Sequence, residues 1–574
     1  MEEQPANLDS NSLDSAESDS ELLTGGKIVQ LSTTSSNKSF IQCVNFEFGH
    51  TSFRTSCRSF CFLHFQPFQL SPSVTLLHAE NADRKEKDNN AIQQDQNCSS
   101  KFRVLIILLA VIVAMLAVSL AAVVFRCNKR FVGATRHRHT NIKYFFQISD
   151  THLDIYYNAN ITNKKHGMCR DKPLKKENST TYADNVATFG RVQCDSSTLL
   201  LQSLSNKLQN VNKKLDRSAE FVLITGDQSA HSYDYFQVNA TESVLWSIGN
   251  STVIIGDGLP TVPVFPLIGN NDLFIDYGPP PKNHSYLYEA LGSVFEPYIF
   301  RGSVKKLNTR DEFLQTFEYG GYYKITIDDG HLVMVMLNSN YWSSRAYGVD
   351  PKITIIGDEQ LLWLKKLLED ASHRKQKVVL AGHIPPGCST YPGEKNMWLQ
   401  NYTEAYLEFT TTLYPDVVTG QLFGHTHSDK VKLQNIKESR SDAFLLICPS
   451  ITPNYQNNPA FRLYEYDVQH KQLQDYTQFH FDLTVSNVFQ KSFWSKEYSF
   501  REEYGRQLTV NSMGFFIDDL LNASSSTWFK YSTHMKSQYD SILFTKRFAE
   551  YCGAKFTDVV SYEKCLQKYI NIGV

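Results

Sequence analysis

Seven residues of this 574-residue chain carry side chains suited to holding a pair of metal ions, and they come in short, spaced groups. They are Asp150 and His152, then Asp227, Asn270 and His383, then His425 and His427. Carboxylate, carboxamide and imidazole donors suit zinc, manganese or iron rather than a thiolate site. Two divalent ions roughly 3.5–4 Å apart need a bridging carboxylate and several further donors each, and the chemistry open to such a pair is metal-assisted hydrolysis. Seven donors from five places along the chain can supply it. In Asp150-Thr151-His152 and His425-Thr426-His427, one residue separates the donors, so an extended backbone would turn both side chains the same way. Gly226 and Gly382 allow close backbone turns just before Asp227 and His383.

Every one of these groups follows an apolar run. Ile142–Ser149 ends at Asp150, Phe221–Thr225 at Gly226-Asp227, and Thr261–Ile268 at Gly269-Asn270. Lys377–Ala381 leads into Gly382-His383 and Asp416–Phe423 into Gly424-His425, with His331–Asn338 a further run. Such runs read as buried strands. Between them lie helical patterns such as Asp358–Ser372, with Leu361, Leu362, Leu364, Leu367 and Leu368 on one side. The layout is α/β with polar residues at strand ends, the edge where open α/β sheets bind ligands. From about residue 471 the chain is rich in Phe, Tyr and charge and reads as a mostly helical extension.

In their order and flanking residues, these groups resemble the calcineurin-like metallophosphoesterases. The matching elements are D-x-H (Asp150, His152), G-D (Gly226, Asp227), G-N-x-D (Gly269, Asn270, Asp272), G-H (Gly382, His383) and G-H-T-H (Gly424 to His427). D-T-H-L-D at 150–154, T-G-D-x-x-x-H at 225–231, G-H-I-P-P-G at 382–387, G-Q-L-F-G-H-T-H at 420–427 and P-S-I-T-P at 449–453 look like the acid sphingomyelinase-like branch. The resemblance covers about residues 141–570. It implies a four-layer β-sandwich flanked by helices. One metal would lie on Asp150, His152 and His427, the other on Asn270, His383 and His425, with Asp227 bridging. A hydroxide between two divalent ions, zinc foremost, would attack phosphorus in line. His231 would assist the leaving oxygen. The resemblance also pairs Cys552 with Cys565 and Cys169 with Cys194; Cys388 and Cys448 are what remains of an even count. Two features depart from the pattern. Most relatives read G-N-H-[DE], but here Asn271 stands in the histidine's place; it cannot give up a proton as an acid, and as a catalytic-site candidate it would position substrate phosphate or simply support the loop. That form resembles vacuolar endopolyphosphatases. Nothing resembles the Cys-rich saposin domain that precedes the catalytic domain of acid sphingomyelinase.

The remaining sequence bounds the setting. A net charge of -2 gives no case for a nucleic-acid partner. Val104–Phe125 is an uncharged 22-residue run bracketed by Arg103 and Arg126. At about 1.5 Å per residue it covers roughly 33 Å, enough for a membrane-spanning helix. Basic residues balance across it, so charge alone sets no orientation. The six cysteines beyond it, with sequons at Asn160, Asn178, Asn239, Asn250, Asn283, Asn401 and Asn522, favour a lumenal or extracellular C-terminal domain, hence type II topology. Residues 1–100 read as disordered, though 40–70 are dense in Phe and Cys and receive no function. The expected organisation is a transmembrane helix at 101–126, a metallophosphoesterase domain at 141–470 and a C-terminal helical region at 471–574. The expected activity is a membrane-anchored phosphoesterase acting on phosphodiester or phosphoanhydride bonds. An endopolyphosphatase acting on long-chain polyphosphate is the alternative within the fold, and a non-catalytic receptor-like ectodomain the alternative outside it.

Overall fold

The strand Ile142–Ile148 is apolar at adjacent positions because it lies between two packed layers. Phe145 stacks on Phe221 and Tyr464 on one face, at 4.6 and 4.9 Å between ring centroids. Tyr144, Phe146 and Ile148 pack on the opposite face in a second cluster. The computed structural model describes Met115 and residues 141–570, apart from 162–168, 171–184, 234–238, 283–284, 391–395, 435–442, 523 and 541–545.

In chain order the strands are β1 (Ile142–Ile148), β2 (Val222–Ile224), β3 (Val264–Pro266), β4 (Tyr323–Ile327), β5 (Leu332–Met336), β6 (Lys377–Ala381), β7 (Val418–Phe423), β8 (Lys430–Gln434), β9 (Ala443–Ile447), β10 (Ala460–Asp467), β11 (Gln472–Phe481) and β12 (Trp494–Ser499). They form two six-stranded mixed sheets, ordered β12-β11-β10-β1-β2-β3 and β4-β5-β6-β7-β9-β8. In the first, β1, β2 and β3 run parallel, with Phe146 opposite Val222 and Val222 opposite Val264. In the second, β5, β6, β7 and β9 run parallel. The parallel strands therefore deliver their C-terminal ends to common edges, which is where all seven donors stand.

Side chains of both sheets share one core: Phe145, Phe221 and Phe265 with Met334, Val379 and Leu422. Helices flank the sheets. Thr198–Asn212 buries Leu200, Leu201, Leu204 and Leu208 in the second cluster, on the other face of β1. Thr354–His373 buries Leu364, Leu367 and Leu368, with Leu361 half-buried. Leu362, expected on the same stripe, is 67% exposed because it lies off the i, i+3, i+4 face. After residue 471 the described residues form six helices, but the region opens with β11 and β12. These complete the first sheet through β10, so that sheet takes strands from both sides of residue 471.

The span Val104–Phe125 lies outside the described residues, save Met115. Among the described residues, no helix is long and apolar enough to cross a membrane. Cys169–Cys194 and Cys552–Cys565 are disulfides. Cys388 and Cys448 do not pair: both are buried free thiols. They face different parts of the core, Cys388 Sγ toward the Thr557 carbonyl at 3.4 Å and Cys448 Sγ toward that of Gln147 at 3.7 Å. Asn160, Asn239, Asn250, Asn401 and Asn522 are exposed, as a glycan acceptor must be. Asn178 and Asn283 lie outside the described residues.

Candidate metal centre and active site

All seven sequence-predicted donors converge. Asp150, His152, Asp227 and His427 present ligand atoms within 4.8 Å of one another, and so do Asp227, His383 and His425. The two groups share Asp227, whose Oδ2 lies 3.4 Å from His152 Nε2 and 3.2 Å from His383 Nε2. His427 Nε2 is 3.2 Å from both His152 Nε2 and Asp150 Oδ1. On the other side His383 Nε2 lies 3.1 Å from Asn270 Oδ1 and 3.3 Å from His425 Nδ1.

The donor set fits cations on hydrogen-bond grounds. His152 Nδ1 donates to the Ser229 carbonyl and His383 Nδ1 to the Thr225 carbonyl, both at 2.8 Å. A carbonyl only accepts, so each ring in its neutral form turns the lone pair of Nε2 inward. Those lone pairs meet the Asp227 carboxylate, the Asn270 carboxamide oxygen and the ring nitrogens of His427 and His425. Asp150 Oδ1 is buried with no hydrogen-bond partner. Acceptors facing acceptors are stable only with positive charge between them. Burial holds His152 and His425 in the neutral, ligating form, pushing each down to about 3. At His383 burial acts in the same sense, but Asp227 and Asp150 outweigh it and lift the ring to about 9, so a cation bound there displaces a proton.

The backbone delivers these side chains differently from the extended geometry expected of D-x-H and H-x-H. Asp150, His152, Asp227, His425 and His427 all adopt left-handed conformations, with φ of 51°, 37°, 51°, 72° and 52°. The chain must leave each strand sharply to bring its donors inward. Such residues cost about 1–3 kcal/mol each and persist where surroundings over-determine them. Here Asp150 N donates to the Gly226 carbonyl and His152 N to that of Asp227, at 3.1 and 3.0 Å. Gly226 does make the predicted turn, at φ +83°, and a Cβ on it would lie 2.8 Å from both Gly269 N and His383 Nδ1. Gly382 makes no left-handed turn. It is needed because a Cβ there would lie 2.8 Å from the Phe423 ring.

Around the donors are groups that orient them. Asn271 N and Nδ2 donate to the two oxygens of Asp227, at 2.8 and 2.9 Å. Asp272 accepts from Gln228 N, Ser229 N and Gly269 N, tying the Asp227 and Asn270 loops together. Asp154 accepts from Arg170 Nε at 2.6 Å and takes no place among the donors. Tyr277 places its hydroxyl 3.3 Å from His425 Nε2.

His231 stands at the edge of the cluster, stacked on His152 with 4.0 Å between ring centroids. Its Nδ1 donates to Asp195 Oδ1 at 2.9 Å and its backbone N to Asp195 Oδ2 at 2.7 Å. Burial opposes charge on this ring, but Asp195, with Asp227 and Asp276, outweighs it, so the pKa is raised. Tyr455, 44% exposed, lies edge-on to His427 at 4.5 Å and to His231 at 6.0 Å. Sequence reasoning missed Asp195, Asn454 and Tyr455. The only local signals were Cys194 beside Asp195 and the P-S-I-T-P run just before Asn454.

Residues 144–429 match the calcineurin-like phosphoesterase family, and residues 441–572 match the acid sphingomyelin phosphodiesterase C-terminal region. Sphingomyelinase phosphodiesterase C from Dictyostelium discoideum is 30% identical over 373 residues, covering 62% of this chain and 76% of that protein. The chain belongs to the calcineurin-like metallophosphoesterases, in the acid sphingomyelinase-like branch. This acid sphingomyelinase-like chain is thus a metal-dependent phosphodiesterase by family, with a candidate dinuclear His/Asp site. Its similarity extends to human cyclic GMP-AMP phosphodiesterase SMPDL3A, 28% identical over 448 residues, 74% of this chain and 91% of that one. Human acid sphingomyelinase-like phosphodiesterase 3b is 25% identical over 439 residues, 74% and 90% of the respective chains. The two disulfides and these relatives point to the secretory pathway.

Proposed function

We propose that this protein hydrolyses phosphodiesters in a lumenal or extracellular space, held to a membrane by Val104–Phe125 in type II orientation. The observation that carries the reading is the position of Asp227 Oδ2, 3.4 Å from His152 Nε2 and 3.2 Å from His383 Nε2, between two donor groups. Asp150, His152 and His427 would hold one ion and Asn270, His383 and His425 the other, with Asp227 common to both. Zinc suits this mixed imidazole and carboxylate set. Such ions, when bound, supply Lewis-acid charge for the phosphoryl oxygens and lower the pKa of water.

The chain's own residues do the rest. Asn271 fixes both oxygens of Asp227 and so sets the orientation of the shared carboxylate. It takes no proton. His231 has Nδ1 committed to Asp195, so proton delivery to the leaving oxygen falls to its Nε2. The relatives' names specify a cyclic dinucleotide in one case and sphingomyelin-type esters in others, and both are phosphodiesters. The test uses the purified full chain on bis(p-nitrophenyl) phosphate, then on sphingomyelin, ATP, a cyclic dinucleotide and long-chain polyphosphate. Hydrolysis abolished by chelation and by Asp227→Asn is expected. A folded, zinc-loaded chain inactive on every ester would overturn the reading.

A further inference from the structure

His231 rests in a cradle that is far more built than a surface histidine requires. Asp195 holds it at two points, through Nδ1 and through the backbone N. Asp195 is itself fully buried, and three further groups fix it. Asn454 Nδ2 donates to Asp195 Oδ1 at 2.8 Å and Thr452 Oγ1 reaches the same oxygen at 3.5 Å. Arg170 Nη2 lies 3.9 Å from Asp195 Oδ2 and donates to the His231 carbonyl at 2.8 Å. Arg170 in turn is anchored on Asp154.

The covalent chain closes the arrangement. Arg170 follows Cys169 and Asp195 follows Cys194, and Cys169–Cys194 is a disulfide. The bridge therefore ties together the chain segments that carry the two residues gripping His231. Asp195, Arg170, Thr452 and Asn454 are outside the donor groups, whereas His231 itself presents a nitrogen within 4.8 Å of ligand atoms of His152 and His427.

We propose that Asp195 is the positioning residue for proton transfer, fixing His231 so that Nε2 alone faces the leaving oxygen. Asn454 and the Cys169–Cys194 bridge hold Asp195 in place. The proposal rests on His231 acting as the acid, as set out above. In the step, a water-derived oxygen bonds to phosphorus as the P–O bond to the leaving group breaks, and the Nε2–H bond of the imidazolium breaks with it. The proton forms the new O–H bond, the electron pair of P–O stays on that oxygen, and the ring is left neutral with Nδ1–H still on Asp195. Asp195 gives up no proton and touches no substrate, so its effect appears only where the leaving oxygen needs protonation.

Two substrates for the full-length, zinc-loaded chain separate the possibilities. Thymidine 5′-(p-nitrophenyl phosphate) expels a stable phenolate, whereas thymidylyl-(3′→5′)-thymidine expels a sugar alkoxide that must be protonated. Asp195→Asn should lose roughly 10²-fold in kcat on the dinucleotide, within the range of general-acid contributions. It should lose far less on the aryl ester, with KM little changed on both. In a His231→Ala background, Asp195→Asn should add almost nothing, since both changes remove one function. Equal losses on the two substrates, or full additivity with His231→Ala, would overturn the positioning role. If His231→Ala itself shows no preference between the substrates, the acid reading falls and this proposal falls with it. Should Asp195→Asn not fold, Asn454→Ala carries the test: a selective loss on the dinucleotide supports the proposal and an unselective one overturns it.

Discussion

The donor cluster and the His231 flank lie side by side but are held by different means. The donors are buried, apart from half-buried His425, and are aimed by the main chain. Five of the seven sit at positive φ, and two of the rings are locked by backbone carbonyls. His231, with 18% of its side chain exposed, is aimed by other side chains, drawn from loops far apart in sequence and stapled by a disulfide. Two ions sharing one carboxylate leave little freedom in ligand position, which strained backbone can enforce. Proton transfer needs one nitrogen turned correctly, which hydrogen bonds can enforce.

The comparison breaks most readily at Gly269, where a Cβ would run into the Asp227 carboxylate and its backbone nitrogen. Gly269→Ala should cost on the order of 10³-fold in kcat on every ester, because it displaces the shared ligand. A loss confined to poor leaving groups would contradict the division of labour. Asn271→Ala is expected to lose about 10–100-fold in activity or metal affinity, the range for groups that orient metal ligands. Elemental analysis of the purified variant beside its rate shows which. No change in either would remove Asn271 from the site. The two disulfides sharpen the contrast. Replacing Cys169 and Cys194 by Ser should cost about tenfold on alkoxide-leaving substrates beyond any loss on aryl esters. Replacing Cys552 and Cys565 should lower the melting temperature without changing that preference.

The smallest effect is expected at His534, part of neither region. Its Nδ1 lies 2.7 Å from Glu497 Oε1. Burial opposes its charge, but Glu497, with Asp429 and Glu503, raises its pKa above the ordinary 6.5. The folded state therefore binds the proton more tightly than the unfolded one. The stabilisation is fully present below the unfolded pKa and fades as pH rises through the folded value. Accordingly His534→Gln should cost about 1–2 kcal/mol near pH 5 and clearly less near pH 9, with kcat unaffected. A pH-independent cost, read by denaturant unfolding, would contradict the ion pair.

Much of the donor cluster is legible in sequence because its signals are local: an apolar run, then a polar residue, then a donor one or two positions on. The conformation of those donors is not. D-x-H spacing is compatible with an extended strand, and only tertiary hydrogen bonds such as Asp150 N to Gly226 show the left-handed turn. The His231 cradle escapes sequence reading for a different reason. Asp195 is 36 residues from His231 and Asn454 is 223 away, and neither breaks any local pattern. Cys388 and Cys448 mislead by number alone: an even count allows a third bridge, but packing turns each thiol to its own carbonyl. In the same way, the aromatic richness after residue 471 hides β11 and β12. Those strands pair with a sheet begun over 300 residues earlier.

The central claim is that two ions share Asp227, and a metal titration tests it most directly. Zinc is added back to the chelated, purified full chain while bis(p-nitrophenyl) phosphate hydrolysis is followed. Activity should climb to a plateau at two equivalents per chain, and Asp227→Asn should stay inactive at any zinc concentration. Full activity at one equivalent, or activity that survives chelation, would contradict a shared dinuclear site.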